Sequence, residues 1–150
     1  MSKTIGYKAK LNDGDIMELS LATMKGKVGY RISKFQVMPF DPTTDNMEAT
    51  MKIYKKKQTT ATNTIDFGDS TILAAAYIEN HDGTSAGFSN FTNAVIFDHE
   101  TFNQNIFVTL QAGSGAGSSG VNFYLELEKI DLSDLEATYH TLQSIRTLSE

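Results

Sequence analysis

Residues 47–54 read Met-Glu-Ala-Thr-Met-Lys-Ile-Tyr, and this alternation sets the expectation for the rest of the chain. Apolar side chains at the odd positions are separated by mostly polar ones at the even positions. Because successive side chains of a β-strand point to opposite faces, the pattern predicts a strand with one face on a core and the other toward water. The same alternation predicts strands at 106–110 and 121–128.

Shorter apolar segments predict further strands, giving about eight in total, at 5–11, 16–21, 30–37 and 94–97. The alternation slips once between Met17 and Glu18 and once at Ser33-Lys34, and a β-bulge at each place would absorb the slip. We expect 94–97 to be a short buried strand. The apolar run 71–78 fits either a strand or a helix.

Turn signals separate these segments, and Ser, Thr and Asn together supply 38 of the 150 residues. Such residues cap turns and occupy exposed strand faces. Short strands separated by turns predict a mainly β protein, an antiparallel β-sandwich or jelly roll. With no internal repeat and no linker rich in Pro or charge, residues 1–150 are predicted to form one domain.

The pattern changes to a helical period near the C-terminus. Ser133 and Glu136 have the spacing of a capping box. Leu135, Tyr139, Leu142 and Ile145 then follow at spacings that place them on one helix face. We predict one amphipathic helix at about 133–147, whose apolar stripe either closes the end of its own sandwich, the favoured alternative, or docks on a neighbouring subunit.

Composition excludes several classes of protein. The chain has no Cys, so disulfides, thiolate metal sites and a cysteine nucleophile are excluded. It is long enough to bury a core without such staples. The first residues lack the apolar region of a signal peptide, and no apolar run approaches the roughly 20 residues that span a bilayer. We therefore expect a protein made and kept in a cytoplasm-like setting, or released by lysis, with no membrane partner.

Charge is divided unevenly along the chain. Residues 1–57 carry 11 Lys/Arg against 6 Asp/Glu, whereas residues 58–150 carry 2 against 12. Halves of opposite sign favour oriented association between copies or with a charged neighbour. The alternative is that both halves interleave in the sheets, so that their fields largely cancel.

Residues with catalytic or ligand-binding chemistry are scattered. His81, His99 and His140 stand apart from metal-ligand spacings, which argues against zinc. A dinucleotide-type glycine pattern at 115–120 precedes a predicted strand where the motif needs a helix. The turns at 12–15 and 81–83 lack the spacing of a calcium loop and are interpreted as plain turns. We expect no enzyme activity, no cofactor and no bound metal.

Two groups of residues are candidates for protein contacts. The basic cluster Lys52, Tyr54, Lys55, Lys56 and Lys57 either protects a strand edge from pairing or meets an acidic partner. Because the whole chain is acidic, we do not expect direct nucleic-acid binding. Among the aromatic residues expected to be exposed, namely Tyr54, Phe88, Phe91, Phe102 and Tyr124, the loop candidates Phe88, Phe91 and Phe102 are interpreted as anchors that pin loops or pack on a neighbour.

Several phrases of the sequence support a resemblance. They are Phe35-x-Val37, MEATMKIYKK, TIDFGDSTILAAAY, AVIFDHETFNQNIFVTLQ, VNFYLELEKIDLS and EATYHTLQSIR. Together, over about residues 28–148, they resemble small virion structural proteins of tailed bacteriophages, notably marine ones. The resemblance implies a jelly-roll or sandwich module that assembles in many copies on a virion.

This resemblance leads to a functional expectation. We expect a noncatalytic capsid decoration or cement subunit, located in the virion, that binds the major capsid protein or other virion proteins. A homo-oligomer, dimer or trimer, suits that role. The alternatives are a neck, tail or fibre-attachment component and, from a different class, a carbohydrate-binding or host-adhesion module.

Overall fold

The computed structural model describes residues 3–21, 27–42, 47–82, 88–113, 120–133, 136, 139–143 and 145, without the side chains of 81, 82 and 88–90. Eight strands form from the alternating segments. They are β1 (Lys3–Leu11), β2 (Ile16–Leu19), β3 (Val28–Pro39), β4 (Met47–Tyr54), β5 (Ile72–Asp82), β6 (Phe88–Ile96), β7 (Ile106–Ala112) and β8 (Val121–Asp131).

The strands form two antiparallel sheets, with the orders β1-β8-β3 and β2-β7-β4-β5-β6. A jelly roll pairs its strands in the orders 1-8-3-6 and 2-7-4-5. The protein has this arrangement with one change, because β6 remains hydrogen-bonded to β5 along nine residue pairs and does not join β3. The prediction of a mainly β antiparallel sandwich with a C-terminal helix is confirmed.

The core lies between the two sheets and is built from the alternating positions of the sequence. In β4, Met47, Ala49, Met51 and Ile53 are at most 1% exposed. They pack in one cluster with the inward residues of the smaller sheet, which are Ile32, Phe35, Phe123, Leu125 and Leu127. Burying these side chains supplies the main driving force for joining the sheets.

One of the two expected bulges forms. The register of β3 against β8 shifts between Ile32 and Lys34, as predicted. The bulge expected at Met17 is wrong, because β2 pairs with β7 in unbroken register. Ile16 pairs with Thr109 and lies on the outer face, whereas Met17 packs against the core. The apparent slip came from assigning Ile16 to the inner face.

Residues 71–78 belong to β5, and residues 72–76 are all buried. The cause is the segment 55–71, which joins β4 to β5 and lies across the outer face of the five-stranded sheet. We call it the outer segment. Asn63 in this segment donates a hydrogen bond to the carbonyl of Ala112 in β7, at 3.3 Å. Both faces of the central strands are therefore covered, so β5 reads as a continuous apolar run.

β6 differs from the prediction of a short buried strand at 94–97. It spans Phe88–Ile96, forms one edge of the five-stranded sheet, and residues 91–95 are exposed. On its outer face Phe91 and Val95 are left uncovered, and on its inner face Thr92 and Ala94 are also exposed. An apolar sequence is thereby left at the surface, which local periodicity does not reveal.

The two oppositely charged halves of the chain interleave. In the smaller sheet β8, from the acidic half, lies between β1 and β3 from the basic half. Arg31 in β3 pairs with Glu128 in β8 at 3.4 Å, and Lys34 lies opposite Glu126. The fields of the two halves therefore oppose each other within one sheet.

The C-terminal helix, α1, is described at residues 136, 139–143 and 145. The predicted capping box forms: Ser133 N–H donates to Glu136 Oε2 at 3.1 Å, and Glu136 N–H donates to Ser133 Oγ at 3.2 Å. Tyr139, Leu142 and Ile145 are 62%, 59% and 57% exposed. The favoured prediction that this stripe closes its own sandwich is wrong for these three side chains; Leu135 lies outside the described residues.

Candidate interaction surface

Lys52 was expected to be exposed, and this prediction is wrong. Its side chain is 1% exposed, although it projects from the outer face of β4, because the outer segment covers it. Lys52 Nζ donates hydrogen bonds to Thr62 Oγ1, at 2.8 Å, and to the carbonyl of Thr64. Burial lowers the pKa of Lys52, partly offset by the attraction of Asp69. Lys52 thus holds the outer segment and is not available to a partner.

Two aromatic candidates are also buried, contrary to prediction. Tyr54 is 8% exposed and packs with Ile72 and Ala75 beneath the outer segment. Phe102 is 2% exposed, since its backbone pairs with Tyr30 at the edge of β3 and its ring stacks on the Tyr30 ring at 6.1 Å. The sequence predicts Phe102 to be an exposed loop residue, but its backbone bridge to Tyr30 places it in the core.

The three remaining lysines of the cluster differ from one another. Lys55 forms an ion pair with Glu100 at 3.3 Å, and its side chain is 10% exposed. Lys56 is half-buried and Lys57 is exposed. Lys56 and Lys57 are therefore the two candidate cations from this cluster that present charge at the surface, while Lys55 joins the end of β4 to the β6–β7 connection.

Phe91 is exposed, as predicted, but its placement in a loop, like that of Phe88, is wrong, because both residues belong to β6. It lies on the outer face of β6, is 53% exposed, and its ring is 6.4 Å from that of Tyr77 in β5. Val95, two pairs along the same face, is 38% exposed. The backbone of Phe88 begins β6, but its side chain lies outside the described residues, so its role as an anchor stays a prediction.

Helix α1 borders a shallow depression of about 490 Å³. Phe97 and Glu100 from the β6–β7 connection form one side, and Tyr139, His140 and Gln143 from α1 form the other. The helix is fastened here by its polar side, where Asn103, fully buried, donates a hydrogen bond to Thr141 Oγ1 at 2.9 Å. Its apolar stripe remains more than half exposed.

Phe67 extends this apolar region. It belongs to the outer segment, is 51% exposed, and packs edge-on against Phe97 at 5.0 Å between ring centroids. Two exposed aromatic residues are therefore close to the depression, Tyr139 in its lining and Phe67 through its contact with Phe97. Exposed apolar residues gathered on one part of a surface mark interaction sites. We call Tyr139, Leu142 and Ile145, together with this depression, the helix surface.

His140 sits at the base of the helix surface with its Nδ1 atom buried and without a hydrogen-bond partner among the described residues. Burial lowers the pKa of His140, and the positive charge of Lys55 lowers it further, while Glu136 and Glu100 act in the opposite direction. The imidazole is therefore held neutral where the helix meets the sandwich.

Acid should weaken this contact. An unfolded histidine titrates near pH 6.5, above the lowered folded pKa, so the unfolded chain binds the proton first. The stability that neutral His140 contributes is complete above about pH 6.5 and is lost as pH falls through the folded pKa. We expect thermal denaturation at pH 7.5 and 5.5 to show a larger loss for the wild type than for His140→Gln. A His99→Gln control, at a side chain 97% exposed, should behave like the wild type; equal pH dependence in all three would contradict the prediction.

The polar groups near the depression do not form an enclosed site. His99 Nε2 lies 3.7 Å from Asp98 Oδ1, but the two side chains are 97% and 69% exposed, so water is not excluded. Among the described residues no group of three or more His, Asp or Glu side chains is placed to hold a metal ion. In the 12–15 turn, Asp13 accepts from Ala112 N–H and Asp15 accepts from Asn12 N–H, both at 2.8 Å.

Sequence reasoning missed several members of the exposed apolar set. Phe67 and Ile65 in the outer segment, Val95 in β6, and Met38 and Phe40 at the end of β3 are all more than one-third exposed. The exposure of Phe67 could have been predicted from the sequence, since an aromatic residue between Asp66 and Gly68 in a polar segment rarely belongs to a core. The exposure of Val95 could not, because this residue lies on the outer face, where its burial depends on how far the outer segment extends across the sheet.

Comparison with known protein families and curated proteins identifies no relative of this chain. No model of a known protein family matches the chain, and a search of curated proteins finds no similar sequence. Within the described residues, no helix has the length and apolar character needed to cross a membrane.

Proposed function

We propose that this protein is a noncatalytic structural component of a bacteriophage virion, a decoration or cement subunit that binds the major capsid lattice. The observation that carries the proposal is the apolar stripe of α1, which faces outward from a jelly roll. Jelly rolls are recurrent building blocks of viral capsids, although they also occur in lectins and cupins. The resemblance to phage virion proteins favours the first of these uses.

The helix surface supplies the contact. Tyr139, Leu142 and Ile145 stand on one face of a helix that is hydrogen-bonded to the sandwich through Thr141, so the stripe is presented on a fixed support. An apolar helix face of this kind binds in a groove of a partner. Lys56 and Lys57, near the Lys55–Glu100 ion pair beside the depression, add positive charge for an acidic partner.

Weak individual contacts suffice for this function. A decoration subunit binds at many equivalent lattice positions, and linked copies bind with an avidity that exceeds that of each contact. The noncatalytic part of the proposal is supported by the exposure of His99 and Asp98, a histidine–carboxylate pair beside the depression. The proposed location is accordingly the virion.

Attachment to purified empty capsids of the encoding phage tests the proposal. Leu142→Glu should lower occupancy at least about tenfold, because binding would bury the new charge. The fold should be unchanged, since Leu142 is 59% exposed. Gln36→Glu adds the same charge on the outer face of the smaller sheet and should bind as the wild type does. Full occupancy by Leu142→Glu, or no attachment by the wild type, would overturn the proposal.

Copy number separates the positions in the virion. Quantitative mass spectrometry of purified particles should find a number of copies that matches the positions of the capsid lattice. A number that matches one ring would favour a neck, tail or fibre-attachment component.

One observation favours a carbohydrate-binding or host-adhesion module as the alternative. On the smaller sheet, Gln36, Asn122 and Tyr124 line a second depression, and Tyr124 is 36% exposed. An aromatic ring beside amide groups is suited to a sugar face. This alternative would be established if the wild type binds on a glycan array and either Gln36→Glu or Tyr124→Ala abolishes that binding. The Leu142→Glu variant should then bind glycans as the wild type does.

A further inference from the structure

We propose that β6 is a self-pairing edge, through which two copies of this chain join their five-stranded sheets into one continuous sheet about a two-fold axis. The proposal goes beyond capsid attachment, because it concerns the isolated chain and holds whatever the dimer then binds. It rests on the chemistry of the four edge strands, on the direction of the free backbone groups of β6, and on the residues that self-pairing brings together.

The described strands form four sheet edges, and three of them are protected against pairing. β1 carries Lys3, Lys8 and Lys10. β2 is four residues long. β3 has Arg31, Lys34 and a bulge, and its edge is bridged at Tyr30 by Phe102. Charged residues, short length, bulges and covering loops are the usual means by which proteins block edge-to-edge pairing.

Within the residues that the structure describes, β6 has none of these features. Its nine residues, Phe-Ser-Asn-Phe-Thr-Asn-Ala-Val-Ile, include no charge and no Pro, and its register with β5 is regular throughout. It is a nine-residue edge with residues 91–95 exposed. An edge of this kind is a template for another strand.

The free hydrogen-bonding groups of β6 can be assigned from one contact. Phe97 N–H, directly after the strand, donates to the carbonyl of Leu73 at 3.0 Å. Because backbone groups alternate in direction along an antiparallel pair, Val95, Asn93 and Phe91 also face β5. Thr92 and Ala94 therefore direct their N–H and C=O groups outward from the sheet.

A second copy of β6 satisfies these groups in one specific register. Antiparallel pairing centred on Asn93 places Thr92 opposite Ala94 of the second copy, so that their outward groups bond. On the outer face Asn93 meets Asn93, and Phe91, 53% exposed, meets Val95, 38% exposed. Aromatic and β-branched residues are favourable cross-strand partners, and no like charges oppose each other. The contact is isologous, as a closed dimer requires.

Oligomeric state is the direct test. Sedimentation of the wild-type chain from about 1 to 100 µM, a range that covers weak protein contacts, should show a monomer–dimer equilibrium. Asn93→Lys places two lysines face to face on the axis and should weaken the dimer at least about tenfold. Thr60→Lys, at an exposed position of the outer segment, is the matched control and should leave the dimer unchanged.

A second variant guards against an indirect effect. Ala94→Pro removes an outward N–H and leaves the hydrogen bonds to β5 in place, so it should give a folded monomer. A wild-type chain that is monomeric over the whole range would overturn the proposal. So would a dimer that survives both Asn93→Lys and Ala94→Pro.

The register is tested by a disulfide. The chain has no Cys, so Asn93→Cys introduces one thiol per copy. Opposed residues of a non-hydrogen-bonded pair have Cα atoms about 4.5 Å apart, within the range of a disulfide. Mild oxidation should convert Asn93→Cys, but not Thr60→Cys, to a covalent dimer. A dimer that forms no such disulfide would show that the pairing is not centred on Asn93 and would overturn the register.

Discussion

Lys52→Ala is expected to destabilise the protein by about 3 kcal/mol. The substitution removes a long buried side chain, a change that costs about 2–5 kcal/mol for an apolar residue of similar length. It also leaves Thr62 Oγ1 and the Thr64 carbonyl without their donor. Relief from holding a buried charge offsets part of the loss. For a chain of this size the melting temperature should fall by roughly 6–12 °C.

The structural consequence should be local as well as global. Lys52 joins β4 to the outer segment, so its loss should release residues 55–71 before the sandwich unfolds. Chymotrypsin cleavage at Phe67 should then become faster in Lys52→Ala under native conditions, as followed by mass spectrometry. Denaturation in urea measures the global effect.

Matched variants separate the contributions to this effect. Lys52→Met keeps the length of the side chain and loses the ammonium group, so we expect a smaller loss of about 1 kcal/mol, from the unpaired acceptors. Lys57→Ala, at an exposed position, should change stability by less than about 0.5 kcal/mol. If Lys52→Ala were no more destabilising than Lys57→Ala, the assigned role of Lys52 would be wrong.

Gly120→Ala is expected to be similarly severe, by about 3–4 kcal/mol. Gly120 has a φ of +101°, a backbone conformation that side-chain-bearing residues rarely adopt. A Cβ there would lie 2.8 Å from the carbonyl oxygen of Leu11. Strain of this kind costs about 1–3 kcal/mol, and the contact with a backbone oxygen adds to it. Because β1 and β8 meet at this point, relief of the contact would separate their ends.

Two other glycines distinguish strain from steric contact. Gly14 has a φ of +84° and nothing within 4 Å of an added Cβ, so Gly14→Ala should cost about 1–2 kcal/mol. At Gly113 the φ is not positive and the closest approach is 3.6 Å, so Gly113→Ala should be close to neutral. Urea denaturation of the three variants should give the order 120, 14, 113; equal losses at 120 and 14 would show that the Leu11 contact has no effect.

Side-chain chemistry predicted much of the fold and less of the surface. The alternation in β4 and β8 predicted both strands, and the Ser133–Glu136 spacing predicted the helix start. These features depend on residues close together in the chain. The exposure of the candidate contact residues was predicted less accurately. Phe91 is exposed as expected, while Lys52, Tyr54 and Phe102 are buried.

Each of those errors has the same kind of cause. Lys52 and Tyr54 lie on a face that alternation assigns to water, and the outer segment covers that face from ten or more residues away in sequence. Phe102 is buried by a backbone bridge to Tyr30, which lies 72 positions earlier. No local pattern encodes such a contact.

By itself, the amino-acid sequence determined where strands and the helix form and which side of each strand is apolar, since backbone geometry gives each element a short period. Tertiary structure decided that β6 stays on β5, that the outer segment buries Lys52, and that the α1 stripe stays exposed. Those outcomes depend on which surfaces meet and how widely one sheet covers the other. Contacts between distant parts of the chain determine both.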